Sequence, residues 1–210
     1  MLTILVASKT FALPRHLHLI GEHVVHHSTA VPWGKAVNDL LDIAAAHGRD
    51  ALLLDDDVTL TAESLAGVTA HYDQADIFGL DLHVLSTGER QAGARHLRDM
   101  TEWVHPGPAY VAHVSTSAVY IKATALAALR FPEWDGIHWE DVAYCFEAWR
   151  LGLRVLAVPG LVHHDIQAGA GATKRTDPAF WQRWATNRRA FESWCAERDL
   201  SSVPREAQPL

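Results

Sequence analysis

The chain has 210 residues, 49% hydrophobic and 20% charged, enough apolar material for one sizeable core and a single domain. A formal net charge of −7 argues against indiscriminate nucleic-acid binding, although Lys174 to Phe191 carries five basic residues against one acidic. The opening "MLTILVASK" lacks a basic n-region and a signal-length apolar run, and no membrane-length apolar stretch follows. Cys145 and Cys195 form no C-x-x-C pair, so neither a disulfide framework nor a cysteine zinc site is indicated. Together these features predict a cytoplasmic protein with no membrane partner.

In chain order, Thr3–Ser8 reads as a short buried strand and Glu22–Ser28 as a second, weaker one. "AVNDLLDIAAAHG" puts Val37, Leu40, Leu41 and Ala44 on one helical face and closes on Gly48. "ALLLDDDV" follows as an apolar strand ending in acid, and "TAESLAGVTAHY" as a helix with Thr61 at its N-cap. Asp76–Leu85 and Ala109–Ile121 are predicted strands, separated by a loop containing Gly and Arg, and "TALAALR" is a helix. Glu140 and Asp141 open a helix with Val142, Phe146 and Trp149 on one side, stopped by Gly152. "LRVLAVPGLVHH" is extended and ends in His163–His164; the glycine-rich "IQAGAGATK" follows, and a last helix starts near Pro178. Alternating elements of this kind predict an α/β fold with a mainly parallel, mixed central sheet and sites beyond the carboxyl ends of its strands.

The polar clusters fall at such ends. Three adjacent carboxylates at the end of an apolar strand need a counter-charge, and strand alternation sends Asp55 and Asp57 to one side and Asp56 to the other. A hard ion, Mn²⁺ or Mg²⁺, takes oxygen ligands and shares substrate phosphates, and Mn²⁺ also tolerates an imidazole. The competing reading is a solvated acidic loop in which Asp57 or Thr59 begins a turn. His163–His164 is either a structural pair or the source of one further ligand; alternation keeps both from facing one ion. Glu140 and Asp141 either complement the helix dipole or serve a weak general base's role toward a hydroxyl. "HWE" lacks the P-C-x-x-C partner of the zinc deaminases, and no dinucleotide fingerprint, P-loop, nucleophile elbow or H-E-x-x-H is present.

Taken in order, the clusters resemble the inverting family two glycosyltransferases of the GT-A fold, from about Thr3 to Asp165. "WGKAVNDLLDIAAAHGRDALLLDDDV" matches a G-x-A-x-x-N helix followed by a D-x-D strand, through Gly34, Ala36, Asn38 and Asp55-Asp56-Asp57. "STSAVYIKATALAAL", "WEDVAYCFEAWRLG" and "LRVLAVPGLVHHD" match, in turn, a strand–helix unit, the E-D motif with its helix, and a strand ending in a metal-binding histidine. The resemblance implies a single-domain, Rossmann-like GT-A fold. Its catalytic domain would span 1–177, with a nucleotide-sugar half at about 1–60, an acceptor half at about 61–165 and a loop at 166–177, and a C-terminal helix and tail at 178–210.

It also implies a metal-dependent inverting transfer from a nucleoside-diphosphate sugar, UDP-linked by preference, to a hydroxyl on a glycan, a protein or a hydroxymethylated DNA base. Asp55, Asp57 and His163 or His164 would hold Mn²⁺ or Mg²⁺. Asp141 would be the general base and Glu140 would hold the acceptor or an active-site loop. Ser8, Lys9, Lys35, Asn38, Asp55, Asp56, Lys174 and Arg175 would meet the donor. The chain departs from the family in "VVHHSTAVPWG", where no carboxylate stands to read the base, and Trp33 either stacks on a base or packs against the sheet. The C-terminal helix, with Arg183, Arg188 and Arg189 among Phe180, Trp181 and Trp184, either packs on the core or meets a polyanion such as DNA. A non-catalytic nucleotide-sugar binder and a nucleotidyltransferase are the alternative functions; the sequence leaves the oligomeric state open.

Overall fold

The computed structural model describes residues 2–7, 25–26, 32–85, 88–91, 93–97, 100–104, 108–134, 139–164 and 178–199. In chain order the strands are β1 (Leu2–Ala7), β2 (Val25–His26), β3 (Asp50–Asp55), β4 (Val58–Leu60), β5 (Ile77–Val84), β6 (Glu89–Gln91), β7 (Gly93–Leu97), β8 (Met100–Val104), β9 (Ala109–Tyr110), β10 (Ala118–Ile121) and β11 (Val155–His164). The helices are α1 (Trp33–Ala46), α2 (Ala66–His71), α3 (Ala123–Ala128), α4 (Glu140–Arg150) and α5 (Pro178–Ala196).

The main sheet runs β2-β1-β3-β10-β5-β11-β4, with β6 on β5 and β9 on β11. β1 is parallel to both β2 and β3, and β5 is parallel to β11. β10 lies antiparallel between β3 and β5. Because β10 is antiparallel to both neighbours, β3, β5 and β11 all point the same way and end at one edge of the sheet.

Both faces of the sheet are buried, which is why its central strands are apolar runs rather than alternating ones. On one face Leu5, Leu53, Ile77, Val119 and Val155 pack with Val37 and Leu41 of α1, Leu126 of α3 and Tyr144 and Cys145 of α4. On the other, Ile4, Leu52, Leu54, Phe78, Leu80 and Val158 pack with Val68 of α2. A third cluster joins α4 to α5 through Val142, Phe146 and Phe191. Gly48 and Gly152, beyond the ends of α1 and α4, have φ values of 60° and 77°, the left-handed turn that stops each helix.

Three sequence-predicted elements are corrected. The single strand expected over Ala109–Ile121 is two: β9 pairs with β11 and β10 inserts between β3 and β5, so the chain between them must leave one ladder for another. The helix expected from Thr61 begins at Ala66. Thr61 caps a turn instead: its N–H donates to Ser64 Oγ at 2.8 Å and its hydroxyl to the Leu161 carbonyl at 3.1 Å. The segment expected as a loop after β5 contains β6 and the β7–β8 hairpin.

The edge opposite the carboxyl ends is tied by Asp50. Its carboxylate accepts from Tyr72 Oη at 2.7 Å, Tyr120 Oη at 2.5 Å and the Ala123 N–H at 2.8 Å. The hydrogen bond to Asp50 pushes the Tyr72 phenol up to about 12, and burial with the same bond raises that of Tyr120.

Candidate metal and active site

β3 and β11 deliver their polar ends to the same edge. After β3 the chain turns at Asp56–Asp57 and returns as β4, which pairs with the end of β11, His164 opposite Val58. The turn therefore folds Asp57 back toward His164, whose Nε2 lies 3.1 Å from Asp57 Oδ1. Asp55, Asp57 and His164 each offer a ligand atom, and these atoms lie within 4.8 Å of one another. All three side chains are part-buried. Among the described residues this is the one such group. Two carboxylate oxygens and an imidazole nitrogen make a donor set that suits Mn²⁺, so the residues fit the divalent ion the sequence implies.

Asp55 is held from the side. Ser117, just before β10, donates its hydroxyl to Asp55 Oδ2 at 2.6 Å, while the Asp55 N–H donates to the Ser117 carbonyl at 3.0 Å. Sequence reasoning gave Ser117 no role. It stands 62 positions from its partner, and only the antiparallel insertion of β10 brings the two together. His163 does not join the group: strand alternation turns it to the other face, where its ring lies 5.7 Å from that of His83.

α4 packs on the face of the sheet and is followed by a short turn into β11. It therefore runs antiparallel to β11 and opens at the edge where β11 ends. Glu140 is buried, and Asp141 is part-buried and accepts the Val142 N–H on Oδ1 at 2.8 Å. Trp139, directly before them, has φ 70°, and among the described residues it is the one non-glycine residue with positive φ. Its ring stacks on Phe191 and tilts against Trp184, at 5.2 and 5.5 Å between centroids. Strained backbone of this kind persists only where its surroundings over-determine it.

The remaining sequence-predicted residues separate clearly. Asn38 is buried and turned inward: its Nδ2 donates to the Phe131 carbonyl at 2.9 Å and its Oδ1 accepts the Phe131 N–H at 2.8 Å. Gly34, one turn earlier, lets α1 close on the same segment, since a Cβ there would sit 2.2 Å from the Pro132 carbonyl oxygen. Trp33 packs edge-on against Phe131 at 5.4 Å rather than lying open for a base. Lys35 is exposed and paired with Asp39 at 3.0 Å, and that hydrogen bond raises its pKa. Asp56 is part-buried in the turn. Ser8, Lys9, Lys174, Arg175 and the loop 166–177 lie outside the described residues.

On α5, Phe191 and Asn187 are buried and Trp181 is 53% exposed. Part of the basic character of α5 is spent locally, Arg188 pairing with Glu192 at 2.9 Å and lying over the Trp184 ring. Cys145 and Cys195 are both free thiols, and burial pushes Cys195 up to about 12 and Cys145 higher still. No helix among the described residues is long and apolar enough to cross a membrane.

No family model matches the sequence, and no curated protein matches it. Solved structures do. A197 from STIV superposes with a TM-score of 0.55 at 16% identity, covering 75% of this chain and 81% of that one. S. aureus TarS residues 1–349 superpose with a TM-score of 0.55 at 16% identity over 96% of this chain and 67% of that one. GalNAc-T7, crystallised with UDP, GalNAc and Mn²⁺, superposes with a TM-score of 0.50 at 11% identity over 79% of this chain and 44% of that one. The chain thus has a GT-A-like fold, the mixed, helix-flanked sheet of the GT-A glycosyltransferases. On that fold the Asp55, Asp57 and His164 group stands at the carboxyl edge of the sheet.

Proposed function

We propose that this chain is a metal-dependent inverting glycosyltransferase that moves a sugar from a nucleoside diphosphate, UDP by preference, to an acceptor hydroxyl. The observation that carries the reading is the convergence of Asp55, Asp57 and His164 at the carboxyl edge of a GT-A-like sheet. GalNAc-T7, of similar fold, was crystallised with UDP, GalNAc and Mn²⁺.

In this reading Asp57 and His164 hold the ion and Asp55, fixed by Ser117, completes the carboxylate side or meets the donor ribose. The bound ion, Mn²⁺ or Mg²⁺, supplies charge neutralisation for the departing diphosphate. Asp141 takes the proton of the acceptor hydroxyl as its oxygen attacks the anomeric carbon from the face opposite the diphosphate, so the configuration inverts. The Val142 N–H fixes the Asp141 carboxylate, and a weak carboxylate base of this kind acts late, when the hydroxyl is already acidified by bond formation. Glu140 steadies the acceptor side, and Ser8, Lys9, Lys174 and Arg175 complete the donor side. Most of the rate gain comes from positioning and from charge placed in advance.

The experiment is a screen of nucleotide sugars for Mn²⁺-dependent thermal stabilisation, followed by product analysis. A ligand that binds only the folded state raises the melting temperature. Asp57→Ala abolishes the shift, whereas Asp141→Asn keeps it and loses turnover. Donor binding without release of sugar from any nucleotide sugar assigns the chain to a purely binding role instead.

A further inference from the structure

Ser117 and Asp55 are joined twice, and the two bonds do different things. β10 opens with Ala118 opposite Leu54 of β3, so Ser117 meets Asp55 one step further along the antiparallel ladder. The Asp55 N–H donates to the Ser117 carbonyl at 3.0 Å, which closes that ladder. The Ser117 hydroxyl donates to Asp55 Oδ2 at 2.6 Å, a bond the ladder does not need. Residues opposed across two antiparallel strands carry their side chains on one face, so a side chain as short as serine reaches the carboxylate.

The side-chain bond is short and shielded. Its length falls in the range of about 2.5–2.7 Å for a hydroxyl donating to an ionised carboxylate, a bond roughly twice as strong as a neutral one. Ser117 is 9% exposed, so water competes poorly for its hydroxyl. The serine is itself placed by the turn before β10, where its N–H donates to Ser115 Oγ at 3.3 Å. A carboxylate that turns freely about its Cβ–Cγ bond offers a cation one oxygen, the other, or both. With Oδ2 held, Asp55 keeps one orientation, and its ligand atom lies within 4.8 Å of those of Asp57 and His164. Asp57 and His164 brace each other at 3.1 Å, whereas Asp55 is braced from the neighbouring strand.

We infer that Ser117 is a positioning residue of the metal group: its hydroxyl holds the Asp55 carboxylate in the orientation that meets Mn²⁺ beside Asp57 and His164. The inference rests on the metal-dependent reading proposed above and adds to it a residue outside the group itself. Ser117 acts here only through Asp55, as an outer partner that fixes a ligand before the ion arrives.

The test is calorimetric titration of the full chain with Mn²⁺ alone, so that a contact of Asp55 with a donor ribose plays no part in the readout. Ser117→Ala removes the hydroxyl and keeps the backbone bond, and Mn²⁺ affinity is expected to fall about tenfold, the lower end of the cost of losing an outer partner of a ligand. Ser117→Thr, which keeps a hydroxyl, is expected to bind within about threefold of the parent. Ser115→Ala loosens the same turn but leaves the bond to Asp55, and is expected to stay within the same margin. Where urea unfolding shows that the alanine variant folds poorly, Ser117→Thr against Ser117→Val makes the same comparison at nearly constant shape. The role is overturned if removing the hydroxyl leaves Mn²⁺ affinity at the parent value, if the threonine variant binds no better than the one without a hydroxyl, or if Ser115→Ala loses as much. Absence of Mn²⁺ binding in the unmodified chain is a different failure: it removes the metal reading of Asp55, Asp57 and His164 and the positioning role with it.

Discussion

Trp139, held at φ 70° ahead of Glu140 and Asp141, stacks its indole on Phe191 of the C-terminal helix at 5.2 Å with 22° between the rings. The contact makes α5 part of what fixes the entrance to α4. Phe191 is buried, and it also meets Phe146 at 5.6 Å. Phe191→Ala should therefore cost about 3–5 kcal/mol in urea unfolding, the usual range for an emptied aromatic site. The backbone at Trp139 allows a sharper comparison. Trp139→Ala and Trp139→Gly lose the same stack, but only alanine keeps a Cβ in the left-handed region, so the glycine variant should be the more stable by about 1 kcal/mol. Equal stabilities would mean that the backbone relaxes out of that conformation once the indole is gone.

Metal affinity should separate the two adjacent histidines. His164 contributes to the Asp55 and Asp57 group, whereas His163 faces His83 across the β5–β11 ladder. His164→Ala should weaken Mn²⁺ binding by about tenfold or more, since loss even of an outer partner of a ligand costs 10–100-fold. His163→Ala should stay within about threefold of the parent, a small fraction of that ligand-scale effect. Titration calorimetry with Mn²⁺ in the presence of UDP reads both; the reverse order would move the site to the opposite face of β11.

These contrasts mark what the sequence could and could not say. The apolar run ending in Asp55, Asp56 and Asp57 was legible because a strand buried on both faces needs no alternation and announces itself by composition. The helix at Glu140 and the strand ending in His163–His164 were legible for similar local reasons. Alternation even foretold that only one of the paired imidazoles joins the carboxylates, but not which one. That choice depends on β4 pairing back onto β11, and long-range pairing leaves no local trace. The same limitation merged β9 and β10 into one strand and left Ser117 without a role. The E-D pair was visible as a motif, while the left-handed Trp139 before it was not, since nothing in the residue type announces positive φ.

The G-x-A-x-x-N pattern in α1 has a structural account that can be tested. Gly34 and Asn38 are one turn apart and meet the same 131–133 segment, Gly34 by close approach and Asn38 by clasping the N–H and carbonyl of Phe131. Asn38→Ala strands both backbone groups in a buried site and should cost about 2–4 kcal/mol. Gly34→Ala should also destabilise, because its Cβ would press on backbone rather than on a flexible side chain. If Asn38 acts only in this way, the Asn38→Ala protein should keep its UDP–Mn²⁺ affinity at temperatures where it remains folded. A loss of affinity without loss of stability would return Asn38 to the donor site.

Acid stability should report on His113, which lies buried between β9 and β10. Burial lowers its pKa from 6.5 to about 4, because the interior penalises the charged imidazolium. In the unfolded chain the same side chain titrates near its ordinary value. Between pH 6.5 and 4 the unfolded state therefore takes up a proton that the native state refuses. The sign follows: the full stability is present above pH 6.5, falls as pH falls through this window, and has lost about 3 kcal/mol from this group by pH 4. Glu147, whose pKa its Arg150 hydrogen bond lowers, adds a loss of the same sign on acidification. That carboxylate is unchanged by a substitution at 113, so it cancels in a comparison of two proteins. His113→Gln should start less stable at pH 7.5, with an uncharged amide in a pocket shaped for imidazole, yet lose less of its stability on going to pH 4. Urea unfolding at pH 7.5, 6.5, 5.5 and 4.5 measures both slopes, and parallel curves for the two proteins would show that His113 is already protonated in the native state or reached by water.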